Sequence, residues 1–174
     1  SFVEEFLKLL IDVPDINIVM LDLFRTTEIP PQIKNTTSLK DFMEAANAAI
    51  PAPEQPEGQR IVIITGVGEI FDDEDYVEEK NSLSALLNDC DKYPNTTFVL
   101  IDNYLRFKKI IMEDWYQNKY DQTFGIWIGG GVDSQVAFTI NGLTSEDSEQ
   151  YTDDVGYLIK NGRYEFIKII ESDG

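Results

Sequence analysis

The stretch IVIITG at residues 61–66 decides the fold, because four consecutive β-branched residues followed by Thr-Gly predict a buried strand and its turn. Two similar apolar runs occur at residues 17–24 (NIVMLDLF) and 98–101 (FVLI). Apolar residues at helical spacing lie between them, at residues 39–50 and 83–90. Strands that alternate with helices predict a mostly parallel central sheet with flanking crossover helices, which is an α/β fold.

The beginning of the chain and one internal segment carry further signals. Residues 2–10 have the apolar pattern of a short amphipathic helix that ends before Pro14. The segment PAPEQPEG, residues 51–58, is predicted to be a polar connector within the domain. Because the chain starts abruptly at this helix, we expect a single domain over residues 1–174 that is a fragment of a longer protein.

The last third of the sequence has a different character. Short strands are predicted at residues 124–128, 135–140, 156–160 and 164–170. Asn161-Gly162 stands between the last two and is a strong signal for a β-hairpin turn. We therefore expect a C-terminal antiparallel strand and hairpin extension.

Composition limits the partners. The 174 residues include 32 acidic and 14 basic side chains, which gives a formal net charge of −18. Such a field repels phosphate backbones and favours a basic or polar partner surface, so no nucleic-acid partner is expected. No apolar run reaches the length of about 18 residues that spans a bilayer, and no signal peptide opens the chain. We expect a soluble, intracellular domain without direct membrane insertion.

Several classes of catalytic site are excluded by residue type. The sequence has no histidine and one cysteine, Cys90, so Ser-His-Asp catalysis, Cys-His catalysis and multi-thiolate zinc sites are absent. Cys90 continues the apolar stripe of Leu83, Leu86 and Leu87, which indicates a core thiol. The acidic residues 72–79 lack a calcium-loop pattern and favour a solvated loop or a helix N-terminus. We predict no catalytic residue and no metal site.

The ends of the predicted strands are where an α/β fold would bind a nucleotide. The chain lacks the GK[ST] signature of a P-loop, and the IVII strand ends in Thr65 instead of a magnesium-binding acid. Thr65, Gly66, Asp102 and Asn103 are therefore interpreted as remnants of a nucleotide site. The alternative is structural: a tight turn after residue 65, and an aspartate that binds nearby loop amides.

Aromatic residues are concentrated between residues 104 and 127. Core packing explains most of them, whereas an exposed patch would be a protein-docking surface. The candidate partner surface consists of Tyr104, Phe107, Trp115 and Tyr116. Under this hypothesis Trp115→Ala weakens partner binding without unfolding the domain, whereas loss of the melting transition would identify Trp115 as a core residue.

The order of these segments resembles the C-terminal ATPase-like domain of the EssC family, the membrane-anchored FtsK/SpoIIIE-type ATPases of type VII secretion in Gram-positive bacteria. The order FVLIDN, EDWY, GIWIGGG with DSQ and FTI, then GYLIKNGRYEFIKII carries the resemblance, and the match rests on residues 125–135 and 156–170. The strand order at residues 17–24, 61–65 and 98–102 is consistent with it, so the resemblance covers most of the chain. It implies a RecA-like core, a place at the cytoplasmic face of the membrane, and recruitment or control of small secreted helical proteins of the WXG and LXG classes.

The same resemblance implies which parts of the motor lie outside this chain. In that family a P-loop precedes a helix like residues 2–10, and the terminal domain is typically degenerate. ATP and magnesium would then bind only with the upstream P-loop present, and the other ATPase domains of the same chain would be partners. The absence of an acid at Thr65 agrees with a domain that does not hydrolyse nucleotide.

Three hypotheses follow. The first is a non-hydrolytic module of a type VII secretion motor that recruits or regulates secreted substrates. The second is a nucleotide-binding ATPase domain that is completed by upstream sequence or a neighbouring subunit. The third is an unrelated flavodoxin-like domain that binds a small ligand at the glycine-rich strand ends.

Overall fold

The computed structural model describes residues 2–26, 28–49, 59–93, 95–149 and 154–168. The chain forms two compact units, Val3–Lys119 and Tyr120–Gly174. The expectation of a single domain over residues 1–174 therefore stays a prediction. None of the described helices is long and apolar enough to cross a membrane.

The first unit alternates strands and helices as the apolar patterns predict. Its elements are α1 (Phe2–Ile11), β1 (Ile16–Asp22), β2 (Lys34–Thr36), α2 (Leu39–Ala49), β3 (Gln59–Thr65), α3 (Val67–Asp72), α4 (Val77–Asn88), β4 (Thr96–Ile101), α5 (Tyr104–Phe107) and α6 (Asp114–Lys119). Single 3₁₀ turns lie at Glu74–Tyr76 and Cys90–Lys92.

The sheet of this unit is parallel throughout, with the strand order β2-β1-β3-β4. Strand β1 pairs with β3 over their full lengths, from Ile16 opposite Gln59 to Asp22 opposite Thr65. Strand β3 then pairs with β4, so that Thr65 lies opposite Ile101. This register brings the carboxyl ends of the three strands to one edge.

Helices cover both faces of the sheet. On one face, Leu7 of α1 forms a buried cluster with Ile18, Met20 and Ile63 of the central strands. Side chains of a strand alternate between faces, so the buried neighbours Val19, Leu21, Val62 and Ile64 point to the opposite face, where α2 packs on β1 and α4 packs on α2. The predicted α/β fold with flanking helices is confirmed.

The second unit contains an antiparallel sheet in the order β5-β6-β7, formed by Gly125–Ile128, Val155–Lys160 and Arg163–Lys168. A short helix, α7 (Ser145–Ser148), precedes β6. Asn161 and Gly162 both have positive φ angles, 53° and 69°, as a type I′ hairpin turn requires. The predicted C-terminal hairpin is confirmed.

Some expectations are corrected. Residues 135–140 do not form a strand, because the Gln135 side chain accepts a bond from the Phe138 amide and donates one to the Phe138 carbonyl oxygen, which closes a local loop. Strand β2 was not predicted; it has only three residues. Cys90 is half-buried in a 3₁₀ turn, not fully enclosed in the core. The predicted 51–58 connector lies outside the described residues.

Candidate functional site

The sequence-predicted residues Thr65, Gly66, Asp102 and Asn103 lie together at the carboxyl edge of the parallel sheet. Strands β1 and β3 are adjacent in the sheet. After β1 the chain continues to β2 on one side of this pair, and after β3 it continues to β4 on the other side. Such a switch point is where open α/β sheets commonly bind ligands.

Thr65 and Asp22 are buried at the centre of this edge, and hydrogen bonds link them to residues at the end of β1 and in the turn that follows it. The Thr65 hydroxyl donates to the Leu21 carbonyl oxygen at 3.2 Å, with Asp22 Oδ1 at 3.4 Å as an alternative acceptor, and it accepts from the Phe24 amide at 3.3 Å. The Thr26 hydroxyl donates to Asp22 Oδ1 at 3.1 Å. These bonds hold the turn after β1 against the end of β3, so both side chains serve the local structure.

Asp102 fastens the turn after β3. Its carboxylate accepts from the Gly68 amide at 2.7 Å and from the Asn103 amide at 2.8 Å. Partial burial raises the pKa of Asp102, whereas these two amides and the positive charge of Arg106 act in the opposite direction. An aspartate that ends a strand by binding loop amides is the structural alternative that the sequence left open, and the observed bonds agree with it.

Asn103 and the two glycines of the turn have structural roles as well. The Asn103 side chain caps α5 by accepting from the Arg106 amide at 3.0 Å. Gly66 has a φ angle of 68°, a conformation that favours glycine. At Gly68 an added Cβ would lie 2.1 Å from the Arg106 carbonyl oxygen. Only glycine therefore allows α5 to pack this closely on α3.

Two ion pairs between exposed side chains also link α3 to α5 and to the turn after it. Glu69 pairs with Arg106 at 2.8 Å, and Asp72 pairs with Lys109. The Arg106 guanidinium also lies 5.9 Å from the centre of the Phe24 ring, which follows β1. The loops after β1, β3 and β4 are thus joined to one another.

The residues of this edge do not fit a nucleotide phosphate. A phosphate site of this type needs free amides in the glycine turn and a nearby lysine. Here the Gly66 amide donates to the Ile101 carbonyl oxygen at 2.9 Å, and the Gly68 amide donates to Asp102. Among the described residues, no group of three or more acidic or cysteine side chains could hold a metal ion.

Three of the four side chains of the predicted partner surface lie in the core, and the partner surface itself stays a prediction. Phe107, Trp115 and Tyr116 are only 7%, 2% and 1% exposed. The Trp115 ring lies 5.7 Å from Phe71 and 6.1 Å from Tyr116, and Phe107 lies 5.8 Å from Tyr116. Packing of these rings against one another under α5 and α6 removes them from the surface.

The surface of the same segment consists of other side chains. Tyr104 stays half-buried, with the Lys108 ammonium 4.9 Å from the centre of its ring. Leu105 and Met112 are 76% and 82% exposed, and sequence reasoning missed both. Leu105 lies in α5 two positions before the buried Phe107, where helical spacing predicts an outward side chain, whereas Met112 lies in the turns between α5 and α6, where no periodicity signals its exposure.

Comparison with known proteins shows similarity in fold to solved structures but no relative by sequence. No protein-family model matches this sequence, and no curated protein matches it. The cytoplasmic domain of EssC is structurally similar, with a TM-score of 0.61, 13% identity, and coverage of 92% of this chain and 34% of that chain. EccC of Thermomonospora curvata (ATPases 2 and 3), in complex with a signal sequence peptide, is also similar, with a TM-score of 0.57 and 12% identity. The match covers 92% of this chain and 32% of that chain.

A second structure, the cytoplasmic domain of the Thermomonospora curvata type VII secretion ATPase EccC, has a TM-score of 0.54 at 12% identity and covers 92% of this chain and 20% of that one. The chain thus spans between 20% and 34% of the length of these proteins. The similarity extends over both units of the chain, and at these identities it concerns the fold. The chain has the fold of the ATPase domains of the type VII secretion proteins EssC and EccC.

Proposed function

We propose that this chain is a non-hydrolytic module of a type VII secretion motor ATPase, and that it recruits or regulates secreted protein substrates. The observation that carries the proposal is the carboxyl edge of the parallel sheet, where Thr65, Asp22 and Asp102 are engaged by the chain's own backbone and hydroxyl groups. An edge engaged in this way argues against turnover of a nucleotide, which supports the non-hydrolytic part of the proposal.

The fold supports the choice of system. Its neighbours in structure are ATPase domains of type VII secretion, and one of them, EccC, is in complex with a signal sequence peptide. By analogy, the partners of this chain are secreted proteins of the WXG and LXG classes and the other ATPase domains of the same motor. We propose the cytoplasmic face of the cell membrane as the location of the module, and the similarity to the cytoplasmic domain of EssC supports this proposal.

The test is a calorimetric titration of the chain with the small helical proteins that its own secretion system exports. We expect saturable binding without added nucleotide. A well-folded chain that binds none of these proteins would contradict the recruitment role.

A parallel titration with ATP and magnesium tests the alternative, a nucleotide-binding domain completed by other sequence. We expect no binding of ATP by this chain alone. Saturable ATP binding that Asp102→Asn weakens would favour the alternative and would show that the Gly66–Gly68 turn can open.

A further inference from the structure

Two Asn-Gly dipeptides occur in the second unit, Asn141-Gly142 and Asn161-Gly162. Asparagine followed by glycine is the pair that deamidates most readily, because a glycine has no Cβ to keep its amide nitrogen away from the preceding side chain. The reaction begins when that nitrogen attacks the side-chain carbonyl carbon of the asparagine. It therefore needs a glycine amide that is free of other bonds and accessible to water, and the two dipeptides differ in both respects.

The Asn161-Gly162 dipeptide is enclosed in the turn between β6 and β7. Gly162 is buried, and its amide donates to the Thr123 carbonyl oxygen at 3.0 Å. Its own carbonyl oxygen accepts from the Asn141 amide at 2.7 Å, and Asn161 has the positive φ angle of 53° that the turn requires. Attack by the Gly162 nitrogen requires these bonds to break and the turn to open, and local opening of this kind costs free energy.

The Asn141-Gly142 dipeptide is open to solvent. Both residues are exposed. Within the ranges that the structure describes, neither the Gly142 amide nor the Asn141 side-chain amide has a hydrogen-bond partner. A Cβ added at Gly142 would meet no atom within 4 Å, whereas one added at Gly162 would lie 2.8 Å from the Asn141 side-chain nitrogen. The nitrogen of Gly142 is thus accessible and available for attack.

We infer that Asn141 is a site of spontaneous deamidation and that the structure protects Asn161 from the same reaction. The Gly142 nitrogen loses its proton to a base in solution, bonds to Cγ of Asn141 and expels ammonia, which leaves a cyclic succinimide. Water then opens the ring at either carbonyl and gives isoaspartate or aspartate. The sum is asparagine and water in, acid and ammonia out. This inference does not depend on the proposed function.

The modification changes the charge and the chain path at one point of the second unit. Each event replaces a neutral amide by a carboxylate, in a chain whose net charge is already −18. In isoaspartate the chain continues through the side chain, which adds one backbone atom after residue 141. That residue bonds the hairpin through Gly162, and Thr144 caps α7 shortly after it. The extra atom therefore lies in the connection between the hairpin and α7.

The experiment incubates the full chain at mildly alkaline pH, folded in buffer and, in parallel, unfolded in guanidinium chloride. Cleavage after glutamate at acidic pH releases residues 114–146, with Asn141, and residues 150–165, with Asn161. Tandem mass spectrometry then follows the conversion of amide to acid at each position. In the folded chain we expect Asn141 to react about tenfold faster than Asn161 or more. In the unfolded chain the two should react at similar rates, because the bond to Thr123 is absent.

The variant Asn141→Gln is the matched control, because its longer side chain would have to close a larger and less favourable ring. Its acid signal at residue 141 should disappear, while Asn161 reacts as in the wild type. Circular dichroism confirms that the chain stays folded at the pH of the incubation.

Three results would overturn the inference. One is a folded chain in which Asn161 reacts as fast as Asn141 or faster. Another is a folded chain in which Asn141 stays unreacted. The third is a rate at Asn161 that is equal in the folded and the unfolded chain, which would show that the turn does not protect it.

Discussion

At the scale of the residue, Trp115 separates core packing from recognition. Its indole is 2% exposed and contacts the rings of Phe71 and Tyr116. Trp115→Ala should therefore lower the free energy of unfolding by about 3–5 kcal/mol, because it removes these contacts and leaves a cavity. The measurement is urea unfolding followed by far-ultraviolet circular dichroism, which does not depend on the tryptophan itself.

A conservative variant sharpens this prediction. The Trp115 indole nitrogen is buried without a hydrogen-bond partner among the residues that the structure describes. Trp115→Phe keeps an aromatic ring and removes that donor, so it should cost clearly less stability than Trp115→Ala. If Trp115→Ala left the unfolding midpoint unchanged and weakened substrate binding, Trp115 would belong to the surface after all.

At the scale of the element, α7 is attached to the C-terminal sheet through Asp147. Its carboxylate accepts from the hydroxyl groups of Thr144 and Tyr164, the latter at 2.6 Å, and these bonds lower the pKa of Asp147, with Thr144 as the larger cause. A lowered carboxyl pKa stabilises the folded state above the ordinary value of about 3.9, and the contribution is lost as the pH falls through the lowered value.

Tyr164→Phe should therefore raise the pKa of Asp147 toward its ordinary value, since one donor to the carboxylate is removed. The measurement is a ¹³C titration of the Asp147 carboxyl group by NMR. Tyr157→Phe is the matched control, because the Tyr157 hydroxyl donates to the Asp147 backbone carbonyl oxygen at 2.7 Å and not to the carboxylate. An equal shift in both variants would show that the Tyr164 bond does not set this pKa.

Elements with a strong local pattern could be predicted from the sequence. The four β-branched residues before Thr65 need no tertiary information to favour a strand, and Asn161-Gly162 has turn chemistry of its own. Residues 135–140 also alternate in a strand-like way, but the Gln135 side chain bonds the backbone of Phe138 locally, which no periodicity reveals. A pattern fails where a polar side chain replaces a strand partner.

Only part of the candidate site could be predicted from the sequence. That Thr65 and Asp102 meet at one edge follows from parallel strands, which all end on the same side. Whether an aromatic residue points inward could not be predicted, because Trp115 and Leu105 lie in short helices where few turns define the apolar face. The exposed Leu105 and the buried Trp115 depend on how α5 and α6 pack.

At the scale of the whole molecule, the net charge of −18 opposes a compact state. The ion pairs of the described residues join exposed side chains, such as Lys92 with Asp89 and Arg106 with Glu69, and pairs of this kind stabilise little. Screening shortens the Debye length from about 30 Å at 0.01 M salt to about 8 Å at 0.15 M. Added salt therefore removes repulsion across the molecule and weakens contacting pairs less.

We expect the urea midpoint of unfolding to rise when sodium chloride is increased over this range. A triple variant with lysine at the exposed positions Glu44, Glu78 and Glu146 carries less negative charge, so its midpoint should depend less on salt. A midpoint that falls with salt in the wild type would mean that the exposed ion pairs outweigh the repulsion. Electrostatic attraction within the chain would then contribute more to the stability of this fold than its composition indicates.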